Sequence, residues 1–170
     1  MSLEPFISKN QIALAGEFAV LSQLALRGYD ANMTLGNTKS VDILLSHPST
    51  QNMYKLEVKT HFDNTSYRSG DFGLVEAGWR MGDKHETIID PTLFYCFVSI
   101  ANNTHHFDFY IVPSLVVAKF VKESHAYWLS HGESRNDSPM RKFMLGKKGE
   151  SYNLDIPFAE DYKNRWDLLK

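Results

Sequence analysis

Two short runs carry the residues whose types and spacing can do chemistry. Asp42 lies in Val41-Asp42-Ile43-Leu44-Leu45, apolar except for that one carboxylate. Glu57 and Lys59 lie in Tyr54-Lys55-Leu56-Glu57-Val58-Lys59-Thr60. Strand side chains repeat every two residues, so Glu57 and Lys59 share one face and Leu56 and Val58 the other. Two carboxylates and an ammonium brought to one spot make a site for a divalent cation and a phosphate group. Plainer readings stand beside this one. Glu57 and Lys59 could be a solvated strand face, and Asp42 an edge charge paired with Lys59. A carboxylate inside so apolar a run nevertheless needs a partner once buried.

The flanking sequence supplies elements that would position these groups. Residues 11–27 read as a helix: Ile12, Phe18, Ala19, Leu21, Ala25 and Leu26 give apolar positions, and Gly28 is placed to end it. Ala13, Ala15, Gly16 and Ala19 are small, which suits close packing on a sheet. A first strand follows over 29–34, a turn over 36–39, then the strand with Asp42. The polar loop 46–52 is short, so the strands on either side of it form an antiparallel hairpin. The stretch 61–90 is irregular, with a short helix expected over 75–82. Strands are expected over 93–100, strongly apolar and so central, and over 107–112. Pro113-Ser114 then opens a helix over 115–129. A basic loop, a short strand near 151–156 and a terminal helix with Trp166, Leu168 and Leu169 complete the chain.

At 170 residues, 43% of them hydrophobic and 13% aromatic, the chain fits one folded domain rather than a disordered segment. Its core is expected over about 11–130, with a C-terminal extension over 131–170. The single cysteine, Cys96, excludes an intrachain disulfide and reads as a buried strand residue. No signal peptide or membrane-length apolar run is visible, so a cytoplasmic protein is expected and no membrane partner. The net charge of -2 excludes a uniformly basic surface. Cations are instead concentrated locally: Arg135, Arg141, Lys142, Lys147 and Lys148 fall in one segment, readable as a phosphate-contacting edge or as an ordinary solvated loop. The seven histidines show no zinc-ligand spacing.

The order helix, three strands, mixed segment, two strands, helix implies an α/β fold, a mixed central β-sheet flanked by helices. With its residues, this order resembles the PD-(D/E)XK nuclease superfamily, the restriction-endonuclease-like fold. The matching segments are Gly16-Glu17-Phe18 in the first helix, Val41-Asp42-Ile43-Leu44 in the second strand and Leu56-Glu57-Val58-Lys59-Thr60 in the third. The likeness covers about 11–112. One departure is the absence of a proline before Asp42.

The resemblance implies a Mg²⁺-dependent endonuclease, with Mn²⁺ able to substitute, that hydrolyses phosphodiester bonds in DNA by a metal-activated water. Asp42, Glu57 and the Val58 carbonyl would hold the ion. Lys59 would orient or deprotonate the attacking water and stabilise negative charge. Glu17 would stand behind the ion. Thr60, His61, Arg80, Arg141, Lys142, Lys147 and Lys148 are candidates for contacting nucleic acid. Many enzymes of the fold act as homodimers, although no segment of this sequence marks an interface. The alternative is a catalytically inactive protein of the same fold that binds nucleic acid or another protein.

Overall fold

A computed structural model describes residues 7–34 and 40–170; the turn expected over 36–39 lies outside the described residues. Helix α1 (Lys9–Leu26) begins in a capping box. The Ser8 hydroxyl accepts from the Gln11 amide, and the Gln11 side chain accepts from the Ser8 N–H. The helix ends at Gly28, whose φ of +79° suits a residue without Cβ. The N–H groups of Gly28 and Tyr29 close back on the carbonyls of Ala25 and Leu24, a Schellman ending that turns the chain toward the sheet.

Strands β1 (Asp30–Met33), β2 (Ile43–Ser46) and β3 (Met53–Phe62) follow as an antiparallel meander, with Ile43 opposite Leu56. Next come β4 (Tyr67–Ser69), β5 (Gly73–Gly82), a 3₁₀ turn (Asp83–Glu86), β6 (Leu93–Ile100) and β7 (Phe107–Pro113). Helix α2 (Ser114–Ser130), β8 (Met140–Gly146), the single turn α3 (Ala159–Tyr162) and a 3₁₀ turn (Trp166–Leu168) finish the chain. The main sheet has the order β1-β2-β3-β6-β7 and is mixed, because β3 and β6 run parallel. A second, antiparallel sheet has the order β4-β5-β8.

Alternation along the inner strands sorts the core to the two faces of the main sheet. Leu56, Val58, Phe94, Cys96 and Val98 face α1, where they meet Val20, Leu24, Trp166 and Leu169. Tyr95 and Phe97 face the second sheet and α2, meeting Trp79, Phe143, Val117 and Val121. All eight residues of β6 are buried, Ser99 included, as its strongly apolar run implied. Cys96 is among them, and burial pushes its thiol well above the usual range.

Three expectations are corrected. Residues 75–82 are not a helix but part of β5, where Val75, Ala77, Trp79 and Met81 alternate inward. That is a period of two, and Gly78 within it and Gly73 and Gly82 at its ends only obscure it. The segment 151–156 forms no strand. The strand lies earlier, in β8, within the basic stretch expected to be a loop. The terminal helix is reduced to two isolated turns, although Trp166 and Leu169 do enter the core.

Candidate functional site

Asp42 stands immediately before β2. Its N–H donates to the Leu56 carbonyl at 2.8 Å, which fixes the backbone beside β3. One carboxylate oxygen, Oδ2, accepts the Val58 N–H at 2.7 Å. On β3 the expected shared face is real: Lys59 Nζ lies 2.6 Å from Glu57 Oε1. Glu57 is only 2% exposed, and its second oxygen, Oε2, is buried with no hydrogen-bond partner among the described residues. A buried carboxylate oxygen left open in this way is costly unless something positive reaches it.

Helix α1 brings the third carboxylate. Gly16 lies directly against Thr60 of β3, so close that a Cβ on Gly16 would sit 1.8 Å from Thr60 Oγ1. That approach carries Glu17, the next residue, to the edge of the hairpin. Burial raises the Glu17 carboxyl above its usual value, the negative charge of Asp42 raises it further, and Lys59 opposes both. Asp42 is also raised, first by burial and then by Glu57, against the lowering effects of the Val58 N–H, Lys59 and Lys84. The carboxylates therefore feel one another, and Lys59 lies within their common field.

Behind Glu57 stand two residues that the sequence did not single out as functional. His85, in the 3₁₀ turn, is 2% exposed; its Nδ1 is 2.7 Å from the Tyr95 hydroxyl, and its Nε2 faces Glu57 Oε1 at 3.7 Å. Tyr95 is the register partner of Glu57 across β3 and β6. The spacing between residues 57 and 85 carries no signal; only the return of the chain from the second sheet joins them. Burial lowers the His85 pKa from 6.5 to about 4 despite the attraction of Glu57. Between those two values the unfolded chain takes up a proton that the folded chain refuses. Stability therefore falls as pH drops from 6.5 towards 4, by on the order of 3 kcal/mol at about 1.4 kcal/mol per unit. Asp42 and Glu17 act in the opposite direction, because a raised carboxyl favours the folded state as pH falls through its raised value. Thermal unfolding is expected to show the His85 loss, and His85→Gln is expected to flatten that part of the profile.

The candidate nucleic-acid contacts are dispersed. Thr60 Oγ1 is buried under α1 with no partner, on the side of β3 away from Lys59. His61 holds β3 to the second sheet through the Gly78 carbonyl, 2.7 Å from its Nδ1. Arg141 is buried and ion-paired to Glu86 and Asp137, so its guanidinium is engaged within the fold. Lys148 pairs with Asp161, and Lys147 is exposed. Arg80 and Lys142 lie opposite each other on β5 and β8.

Among the described residues, no three His, Cys, Asp or Glu side chains sit close enough together to form a ready-made metal cage. A magnesium ion does not require one, since it keeps several waters and uses one or two carboxylates. The open Glu57 oxygen and the neighbouring Asp42 carboxylate fit that donor set.

No protein-family model matches the sequence. No curated protein matches it either. Three solved chains match the structure. One is a bacterial homing endonuclease, I-Ssp6803I, with a TM-score of 0.51 at 13% identity, covering 96% of this chain and 93% of that one. The mixed α/β architecture, a five-stranded sheet flanked by helices, is thus similar to a homing endonuclease fold. No helix among the described residues is long and apolar enough to cross a membrane.

Proposed function

We propose that this chain is a divalent-metal-dependent endonuclease of the PD-(D/E)XK type, acting on DNA. The observation that carries the reading is Glu57: a buried carboxylate with one oxygen held by Lys59 and the other open, beside a second carboxylate whose own pKa is raised. The likeness of fold to a homing endonuclease supports it. Asp42, Glu57 and the Val58 carbonyl would hold Mg²⁺ or Mn²⁺. When bound, the ion supplies Lewis-acid charge neutralisation and lowers the pKa of water.

The remaining work belongs to the chain's own residues. The Lys59 ammonium, 28% exposed, reaches both Glu57 and the open side of the site. There it orients the attacking water and offsets the charge that develops on the phosphoryl oxygens. The Val58 N–H fixes the Asp42 carboxylate. Glu17 completes the negative rim from α1. Cleavage of duplex and branched DNA with Mg²⁺ or Mn²⁺ is expected for the native chain. Asp42→Ala is expected to reduce it at least about hundredfold. Equal cleavage by the two would overturn the assignment.

A specific observation favours a second reading, an inactive binding module. The 2.6 Å Glu57–Lys59 pair satisfies the lysine internally, as a purely structural pair would. Calorimetry with Mn²⁺ separates the two. Heat of binding that disappears in Asp42→Asn supports the enzyme, and no heat in the native chain supports the module.

A further inference from the structure

The register of β5 and β8 sets Arg80 directly opposite Lys142. Their chain neighbours Trp79, Met81 and Phe143 point into the core, so the two cations lie on the outer face of the second sheet. Like charges placed directly opposite each other destabilise a sheet. Among the described residues no carboxylate pairs with either one: Arg80 is exposed, and Lys142 bonds to the Tyr67 hydroxyl with its ammonium 4.4 Å from the centre of that ring.

The pair borders a pocket of about 440 Å³. Tyr67 and Trp128 lie in its wall, Trp128 with Arg135 over its ring and His125 stacked on it, and Ser138 adds a hydroxyl. The other charges on its wall are matched: Arg141 by Glu86 and Asp137, Asp71 by Arg135, and His125 by Asp137. The unmatched charge is that of Arg80 and Lys142. A small anion alone would need no aromatic wall, and an apolar ligand would need no cation pair. A nucleotide uses both, its base on a ring and its phosphate between the cations.

We propose that this pocket is a second nucleic-acid site, separate from the carboxylates, which holds one nucleotide of a single-stranded segment. The proposal rests on the DNA reading of the site above. Its test uses binding rather than cleavage, so the two can fail separately. Fluorescence anisotropy with a labelled single-stranded DNA oligonucleotide compares Asp42→Ala alone with Asp42→Ala also carrying Arg80→Gln and Lys142→Gln. The added pair is expected to weaken binding about tenfold and to lower the salt slope by about 0.7, that of one phosphate contact on a single strand. Its melting temperature is expected to hold or rise, because a like-charge pair has been removed. Trp128→Ala is expected to weaken binding without changing that slope. Affinity within twofold of the parent in both variants would overturn the proposal. Deoxynucleoside monophosphate competing as well as the oligonucleotide would also overturn it, assigning the pocket to a free nucleotide. Loss of cleavage in the native chain alongside intact, Arg80-dependent binding would remove the nuclease reading and leave this site standing.

Discussion

Lys59→Ala is expected to lose DNA cleavage by at least about hundredfold and to unfold more easily by about 3 kcal/mol, and the second effect makes the first interpretable. Glu57 is nearly inaccessible, and the Lys59 ammonium at 2.6 Å is its charged partner, because burial keeps His85, 3.7 Å away, neutral above about pH 4. Removing the ammonium leaves a buried carboxylate with no charged partner among the described residues, and a broken buried pair costs more than a missing one. The double variant Lys59→Met with Glu57→Gln removes both charges and is expected to recover most of the stability while remaining inactive. The cation supplies a further discriminator. If Glu57 is a metal ligand, millimolar Mn²⁺ is expected to raise the melting temperature of Lys59→Ala more than that of the native chain, because the ion replaces the lost charge. A metal-independent melting temperature in both would leave Glu57–Lys59 as a structural pair. Cleavage assays and thermal unfolding on the three proteins decide the matter.

The hairpin that holds this site was legible because strand periodicity is local. Leu56 and Val58 do face α1, and Glu57 and Lys59 do share the other face. The Gly28 ending of α1 and the apolar run of β6 were equally readable, since each depends on residues within a few positions. What escaped the sequence depends on distance along the chain. His85 meets Glu57 only after β4 and β5 have crossed the sheet, so no spacing rule joins them. The second sheet was missed for a related reason: glycines at 73, 78 and 82 diluted the alternation of β5, and its partner β8 lies some sixty residues later in a stretch rich in cations. Arg141 illustrates the consequence. Its place among cations suggested phosphate, whereas its position on the core side of β8 delivers it to Glu86 and Asp137.

Gly16→Ala is expected to destabilise the protein by about 2 kcal/mol, against the direction that helix propensity predicts. In a helix interior, alanine is better than glycine by about 1 kcal/mol. Here the new methyl would fall 1.8 Å from Thr60 Oγ1 and 2.9 Å from two further Thr60 atoms, so α1 or β3 must move. Overpacking a tight contact costs about 1–3 kcal/mol, which outweighs the propensity gain. The movement has a functional consequence, because Glu17 is the next residue and its field at Asp42 depends on how closely the helix approaches. Cleavage is therefore expected to fall with stability, although no charged group has changed. Thr60→Ala supplies the control. The Thr60 hydroxyl is buried without a partner, so its removal is expected to cost little by itself. Combined with Gly16→Ala it is expected to restore stability in part, a coupling that chemical denaturation can measure as a double-mutant cycle. Additive losses would mean that the helix already has room to move. The glycine would then serve neither the packing of α1 nor the placement of Glu17.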